Sequence, residues 1–167
     1  MNAPLTAAKI LAIAQQGELI LSQRAQAVSN PLDPEIQTLI HNMQATMLSA
    51  NGVGIAAPQV FQSLRIIIVA SRPNPRYPEA PLMEPIAMIN PEIFWQSNET
   101  CLGEEGCLSV QETRAQVARA ERLTVRYLNE KVESIEAEFS GFVARIIQHE
   151  VDHLEGILFI DRSQIEL

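Results

Sequence analysis

One helix constrains what this chain can fold into more than any other segment. Residues 140–156 begin with Ser140-Gly141 and end at Gly156, which are typical start and stop signals of a helix. Between them, the string His149-Glu150-Val151-Asp152-His153 puts two histidines four positions apart. Such residues lie on one helix face about 6 Å apart, so both imidazoles can reach one metal ion. The pair falls on the apolar side of the helix, which we expect to face inward.

Glu150 follows the first histidine of this pair and lies about 100° further around the helix. From there its carboxylate can act on a water beside the metal without entering the coordination shell. An ordinary core helix with satisfied histidines is the alternative interpretation. The chain has only three histidines, and two of them form the pair next to a glutamate that is costly to bury unpaired. This favours the metal site, and the third histidine, His41, is expected at the surface.

The helical wheel divides the other side chains of this segment into two groups. The apolar group shares or continues the sector of the two histidines and holds Phe142, Val143, Ile146, Ile147 and Leu154. The opposite side, which we expect to face away from the core, holds Arg145, Gln148, Asp152 and Glu155.

Two histidines do not complete a catalytic metal site, which needs a third protein ligand and an open position. The acids downstream are poor candidates, because Glu155 points off the other side of the helix and Asp161 follows a strand-like segment at 157–160. Upstream, Cys107 follows Gly106 directly. A thiolate is a strong metal ligand, and a glycine beside it lets the backbone approach the metal closely. Cys107 is therefore the better candidate, with a buried structural cysteine as the alternative. Cys101 is expected to be such a buried structural cysteine.

The segment 52–59, GVGIAAPQ, is the third candidate site element. Its lone G-x-G lacks a third glycine and a phosphate-binding Lys/Ser pair, so a nucleotide loop is not expected. The segment instead consists mostly of small residues and ends at Gln59. This favours a closely packed backbone edge from which the Gln59 side-chain amide donates a hydrogen bond.

The rest of the pattern predicts one α+β domain over residues 1–167. Asp33-Pro34-Glu35 opens a first helix that ends at Asn51-Gly52. Strands are predicted at 65–70, 86–90 and 92–96, and a hairpin at 123–128 and 132–139. Five of the ten prolines lie in 71–85, which predicts a stiff extended loop.

The net charge of −8, from 20 acids and 12 bases, argues against a dedicated nucleic-acid partner. Arg114, Arg119, Arg122 and Arg126 form the one basic exception, and we expect them on the solvent face of a strand or loop. No apolar run approaches the roughly 18 residues of a membrane span, and no signal peptide is evident. We therefore expect a cytoplasmic protein.

Three motifs, GVGIAAPQ, EGCLS and QHEVDHLEG, occur in this order between about residues 10 and 162. Together they resemble the signature segments of the peptide deformylases. The resemblance implies mixed, mainly antiparallel sheets around a central helix that carries the HExxH pair. It also implies removal of the formyl group from N-formylmethionine at the start of new polypeptides, with release of formate. One divalent metal is implied, usually Fe²⁺ in cells, with Zn²⁺, Ni²⁺ or Co²⁺ as substitutes.

The resemblance also implies a role for each matched residue. Cys107, His149 and His153 would be the metal ligands, and Glu150 would move the proton from water to the leaving amine. The Leu108 backbone N–H and the Gln59 amide would meet the developing oxyanion. The substrate-binding set would comprise Val53 and Ile146 around the methionine side chain, Gly54 at the peptide backbone, and Glu105 paired with Arg114 beside the substrate. Gly106 would belong to the same set.

Three departures from the family pattern concern the surroundings of the site. Gln111 stands where the family commonly has proline, and the 71–85 loop is longer than in compact members. Only seven residues follow Ile160, so the long C-terminal helix with which some bacterial members dock on the ribosome is not expected.

Two other functions are alternatives to a deformylase. A general zinc endopeptidase would need a downstream ligand, and the position of Cys107 speaks against it. A catalytically weak deformylase-like protein that binds peptides or senses metal would be expected to lose Glu150 or Gln59, and both are present.

Overall fold

A computed structural model describes residues 8–163 of the chain. The predicted domain of residues 1–167, and the expectation about its C-terminal end, therefore extend outside the described residues. The helices are α1 Pro34–Ser49 and α2 Gly141–Leu154. The strands are β1 Gly54–Ala56, β2 Ile66–Val69, β3 Ile86–Gln96, β4 Thr100–Cys107, β5 Val110–Ala120, β6 Arg122–Leu128 and β7 Ser134–Ser140. Short 3-10 turns lie at Leu19–Ser22, Ala57–Val60 and Phe159–Asp161.

The strands form a five-stranded sheet in the order β1-β2-β3-β6-β7 and a separate pair, β4-β5. All pairings between these strands are antiparallel. The predicted α+β class, the strand at 65–70 and the hairpin that ends at α2 are confirmed. Within residues 8–163, no helix is long and apolar enough to cross a membrane.

The two helices pack against different sets of side chains on β2, which explains why that strand is buried on both faces. Ile66 and Ile68 belong to the core cluster that includes Met43 of α1. Ile67 belongs to the other cluster, which includes Ile147 of α2. Alternation along a strand separates these two sets, so a continuous run of isoleucine fits a strand between two helices.

The first helix begins as its sequence predicts. The Asp33 side chain accepts a hydrogen bond from the Glu35 N–H at 2.9 Å, and Pro34 occupies the first helical position. The helix ends at Ser49 with Ala50 as its C-cap, and Asn51 follows with a left-handed φ of 58°. His41 is exposed, as expected. The expectation that Cys101 is buried was wrong, because it is exposed on β4.

Residues 86–96 form one strand and not the two short strands predicted on either side of Pro91. The register with β6 shifts between Ile89 and Glu92, so the chain passes Pro91 through a bulge. Asn90 adopts a φ of 52° and bonds both backbone groups of Val28, at 2.8 and 3.1 Å. A contact with a residue so distant in sequence stabilises the bulge and lets the strand continue.

The β4-β5 pair was not predicted, and it covers the side of α2 that the helical wheel assigned away from the core. Gln148 bonds both backbone groups of Ala120 at 2.9 Å, and Arg145 bonds the Val117 carbonyl at 2.8 Å. Only 8% of Arg145 and 7% of Gln148 are therefore exposed. The strand-like assignment of 157–160 was also wrong, because a 3-10 turn occupies Phe159–Asp161.

Candidate metal centre

The structure brings together the three side chains predicted as metal ligands. Cys107 ends β4, while His149 and His153 lie one turn apart on α2. One ligand atom from each lies within 4.8 Å of the other two, and all three residues are buried. The Cys107 Sγ is 3.3 Å from Nε2 of His153. This cluster could hold one metal ion.

The electrostatics of the cluster favour a thiolate ligand. Burial alone would raise the pKa of the Cys107 thiol, but the adjacent imidazoles of His153 and His149 lower that pKa well below its usual range. Thiolate, and not thiol, is the form that binds metals. A Cys-His-His set with one position left for water or substrate is also the donor chemistry of catalytic metal sites. The residues present therefore fit a divalent metal.

Glu105 orients the His149 ring by a hydrogen bond to the nitrogen that does not face the cluster. Its Oε1 lies 2.9 Å from Nδ1 of His149, which leaves Nε2 of that ring for the metal. Burial would raise the pKa of Glu105, but hydrogen bonds from Arg119 and His149 lower it to about 2. The carboxylate is thus ionised at neutral pH and accepts the hydrogen bond from His149.

Two buried arginines hold Glu105 in place. Arg119 donates to both of its carboxylate oxygens at 2.9 Å, and Arg145 donates to Oε2 at 2.7 Å. Arg119 also donates to Asp152 of α2 at 2.6 Å. The expectation that Arg119 faces solvent was wrong, since only 5% of it is exposed. It points inward because two carboxylates from different elements meet there.

Glu150 lines the same cavity as Cys107 and His149. Burial raises the pKa of its carboxyl group to about 7, with the positive charge of His149 opposing the rise. Among the described residues, its Oε1 has no hydrogen-bond partner. Gly54 packs directly against it, because an added Cβ would lie 2.6 Å from Oε2. A buried carboxyl with a pKa near neutrality suits proton transfer.

Gln59 approaches the cluster from the 3-10 turn Ala57–Val60. Its Oε1 accepts a hydrogen bond from the Ala56 N–H at 2.9 Å, which fixes the orientation of the amide. Its Nε2 donates to the Ser109 hydroxyl at 3.0 Å and lies 3.5 Å from Sγ of Cys107. The amide donor therefore points towards the cluster.

The cavity beside the cluster contains most of the predicted substrate-binding residues. Its lining includes Val53, Gly54, Glu105, Gly106, Leu108 and Ile146. It also includes Tyr77 of the 71–85 loop, which the sequence analysis missed. The Tyr77 hydroxyl accepts a hydrogen bond from the Gly106 N–H at 3.1 Å, and the centroid of its ring lies 5.0 Å from that of Phe142. A long loop rich in prolines gives no sequence signal for such a contact.

The predicted pair of Glu105 with Arg114 is wrong. Arg114 lies opposite Gly106 across the β4-β5 ladder and bonds Glu104 at 2.9 Å. Successive side chains of a strand point to opposite faces, so Arg114 shares a face with Glu104 and not with Glu105. Arg114 lines the surface outside the cavity, where it stacks on Tyr77 with its Cζ 4.8 Å from the ring centroid.

Comparison with known proteins identifies the family. The family model described as polypeptide deformylase matches residues 10–166. The chain belongs to the peptide deformylase family. It is 52% identical to peptide deformylase 2 of Nostoc sp., over 95% of this chain and 89% of that protein. It is 49% identical to peptide deformylase 2 of Shewanella oneidensis, over 94% and 86% of the two chains.

Solved structures of the family share the fold. The class I type b peptide deformylase from Acinetobacter baumannii, bound to Met-Ala-Ser, matches with a TM-score of 0.90 and 57% identity, over 93% of this chain and 99% of that one. The enzyme from Thermotoga maritima matches with a TM-score of 0.83 and 38% identity, over 93% and 99%. The chain is therefore a hydrolase of a metal-dependent family that acts in protein biosynthesis. These matches support an enzyme over a catalytically weak binding protein.

Proposed function

We propose that Cys107, His149, His153 and Glu150 carry out the removal of the formyl group from N-formylmethionyl peptides, with release of formate. The observation that carries this proposal is the buried Cys-His-His cluster, with the Glu150 carboxyl in the same cavity. The Acinetobacter baumannii relative is bound to Met-Ala-Ser, which is what formyl-Met-Ala-Ser becomes once its formyl group is lost.

Cys107, His149 and His153 hold the metal in this proposal. When bound, a divalent ion supplies Lewis acidity, which polarises a carbonyl group and makes water acidic near neutral pH. We propose Fe²⁺ in cells, with Zn²⁺, Ni²⁺ or Co²⁺ able to replace it, because this donor set accepts several divalent ions.

Residues of the chain transfer the proton and stabilise the developing negative charge. Glu150 accepts a proton from the attacking water and returns it to the amine that leaves as the formyl C–N bond breaks. The Gln59 amide and the Leu108 backbone N–H donate hydrogen bonds to the oxygen on which negative charge develops. Gln59 suits this role because Ala56 fixes the direction of its amide.

The lining of the cavity positions the substrate. Val53 and Ile146 offer apolar surface for the methionine side chain, while Gly54 and Gly106 offer backbone groups to the peptide. Glu105 acts through His149. Arg114 contributes at the rim, where the peptide leaves the cavity. The chain has a net charge of −8, which does not suit binding to nucleic acid, so we propose no nucleic-acid partner.

The test is formate release from formyl-Met-Ala-Ser by protein loaded with Fe²⁺ or Ni²⁺, with acetyl-Met-Ala-Ser as the matched control substrate. We expect formate from the first and no hydrolysis of the second. A chelator should abolish the activity, and Ni²⁺ or Co²⁺ should restore it. An iron-loaded sample should lose activity in air. No formate from metal-replete protein would contradict the proposed function.

A further inference from the structure

Arg76 stands where the cavity opens to the surface. It belongs to the proline-rich loop at 71–85 and lines the cavity that holds Cys107. It also lines two shallow depressions outside the cavity, one beside Tyr77 and the other beside Leu108. Arg76 therefore lies between the cavity and both depressions.

The guanidinium of Arg76 has no partner among residues 8–163, whereas its neighbour Arg114 has two. Arg114 bonds Glu104 at 2.9 Å and stacks on Tyr77. Glu79, Glu104 and Glu112 also line the depressions. Among the described residues, the one ion pair that these three acids form is that of Glu104 with Arg114. Arg76 is thus a half-buried cation that is free to bind a ligand.

The position of Arg76 is fixed by its contacts with β4 and by the loop. An added Cβ at Gly106 would lie 2.9 Å from Nη2 of Arg76, so this guanidinium packs on the backbone one residue before Cys107. The Asn74 side chain accepts a hydrogen bond from the Arg76 N–H at 2.9 Å and donates to the Arg72 carbonyl at 2.7 Å. These contacts fix the position of Arg76 at the opening of the cavity in the absence of a bound peptide.

We infer that Arg76 is a specificity residue that favours an aspartate or glutamate among the residues following the formylmethionine. The inference rests on the proposed function and names a substrate class for the same site. A guanidinium presents parallel N–H groups that match a carboxylate, and partial burial strengthens the interaction. A backbone carbonyl could accept the same hydrogen bonds, but it would give no preference between side chains.

The experiment compares formyl-Met peptides that carry Glu or its neutral isostere Gln at the second or the third position, each amidated at the C-terminus. The measurement is the ratio of kcat/KM for the Glu peptide to that for the Gln peptide. Because each ratio is taken within one protein, it does not depend on how much of a variant folds. For the wild type we expect a ratio of about 3 to 10 at one of the two positions at low salt, which falls as salt rises.

The variants separate the contribution of Arg76 from other effects. Arg76→Gln should bring the ratio to about 1, and Arg76→Glu should favour Lys peptides instead. Arg126→Gln changes an exposed arginine on β6 that pairs with Glu136 on β7, and it should leave the ratio at its wild-type value. A wild-type ratio near 1 at both positions, or one that Arg76→Gln leaves unchanged, overturns the inference while formyl-Met-Ala-Ser is still deformylated. No formate from any peptide overturns the proposed function as well.

Discussion

The Glu105 carboxylate lies 2.9 Å from Nδ1 of His149 and is fixed there by Arg119. The pKa of Glu105, lowered to about 2, keeps this carboxylate ionised, so Nδ1 must carry the proton that it shares. With Nδ1 held in this way, Nε2 is the ring nitrogen that would bind the metal, on loss of any proton it carries. A carboxylate behind a histidine ligand both orients the ring and raises its basicity.

Glu105→Gln should weaken metal binding by about 10- to 100-fold, because the amide cannot enforce this tautomer. The measurement is Zn²⁺ affinity by competition with a chelator. Glu104→Gln is the matched control, since Glu104 is the adjacent residue of the same strand but faces Arg114. Equal losses in the two variants would contradict the orienting role of Glu105.

Arg119→Met should destabilise the protein by about 3 kcal/mol, because Glu105 and Asp152 each lose a charged partner in a buried place. Chemical denaturation followed by circular dichroism gives the free energy of unfolding. The control is Arg122→Met, at an arginine whose side chain is 45% exposed, and it should change that free energy by less than about 0.5 kcal/mol. A loss at Arg119 no larger than at Arg122 would show that the buried network contributes little.

Gly54→Ala should lower kcat/KM by about 100-fold while the metal content stays at one ion per chain. The added methyl group would lie 2.6 Å from Oε2 of Glu150 and 2.8 Å from Cγ2 of Ile146, so the carboxyl group must move. A displacement of about 1 Å in a catalytic group can cost this much. Activity near that of the wild type would mean that Glu150 tolerates displacement and would weaken its proposed role.

Gln59→Glu should lower kcat by about 10²- to 10³-fold, the usual cost of losing one donor to an oxyanion. The carboxylate keeps an acceptor for the Ala56 N–H but has no N–H to donate. Steady-state kinetics on formyl-Met-Ala-Ser should show the loss mainly in kcat. A change confined to KM would assign Gln59 to substrate binding alone.

The metal cluster could be predicted from the sequence because its signals are local. His149 and His153 follow from helical spacing, and Cys107 follows from its chemistry beside Gly106. The helix boundaries followed from Asp33 and Gly156 for the same reason. In each case the residue type and its immediate neighbours determine the result.

Long-range partners could not be predicted in this way. Arg119 and Arg145 look like surface charges in sequence, but both bind Glu105, which lies 14 and 40 positions away. Whether Arg114 meets Glu104 or Glu105 depends on which face of β4 each glutamate occupies. The sequence of that strand has no β-branched pattern from which its faces could be predicted. The bulge at Asn90 depends on Val28, 62 positions away.

The most direct test of the proposed chemistry is the rate of formate release by Glu150→Gln, with bound metal measured in the same sample. The Cys107, His149 and His153 cluster is untouched by this change, so one metal ion per chain should remain. Loss of the proton acceptor should lower kcat by about 10²- to 10⁴-fold. A metal-replete Glu150→Gln protein that releases formate as fast as the wild type would contradict the proposed mechanism.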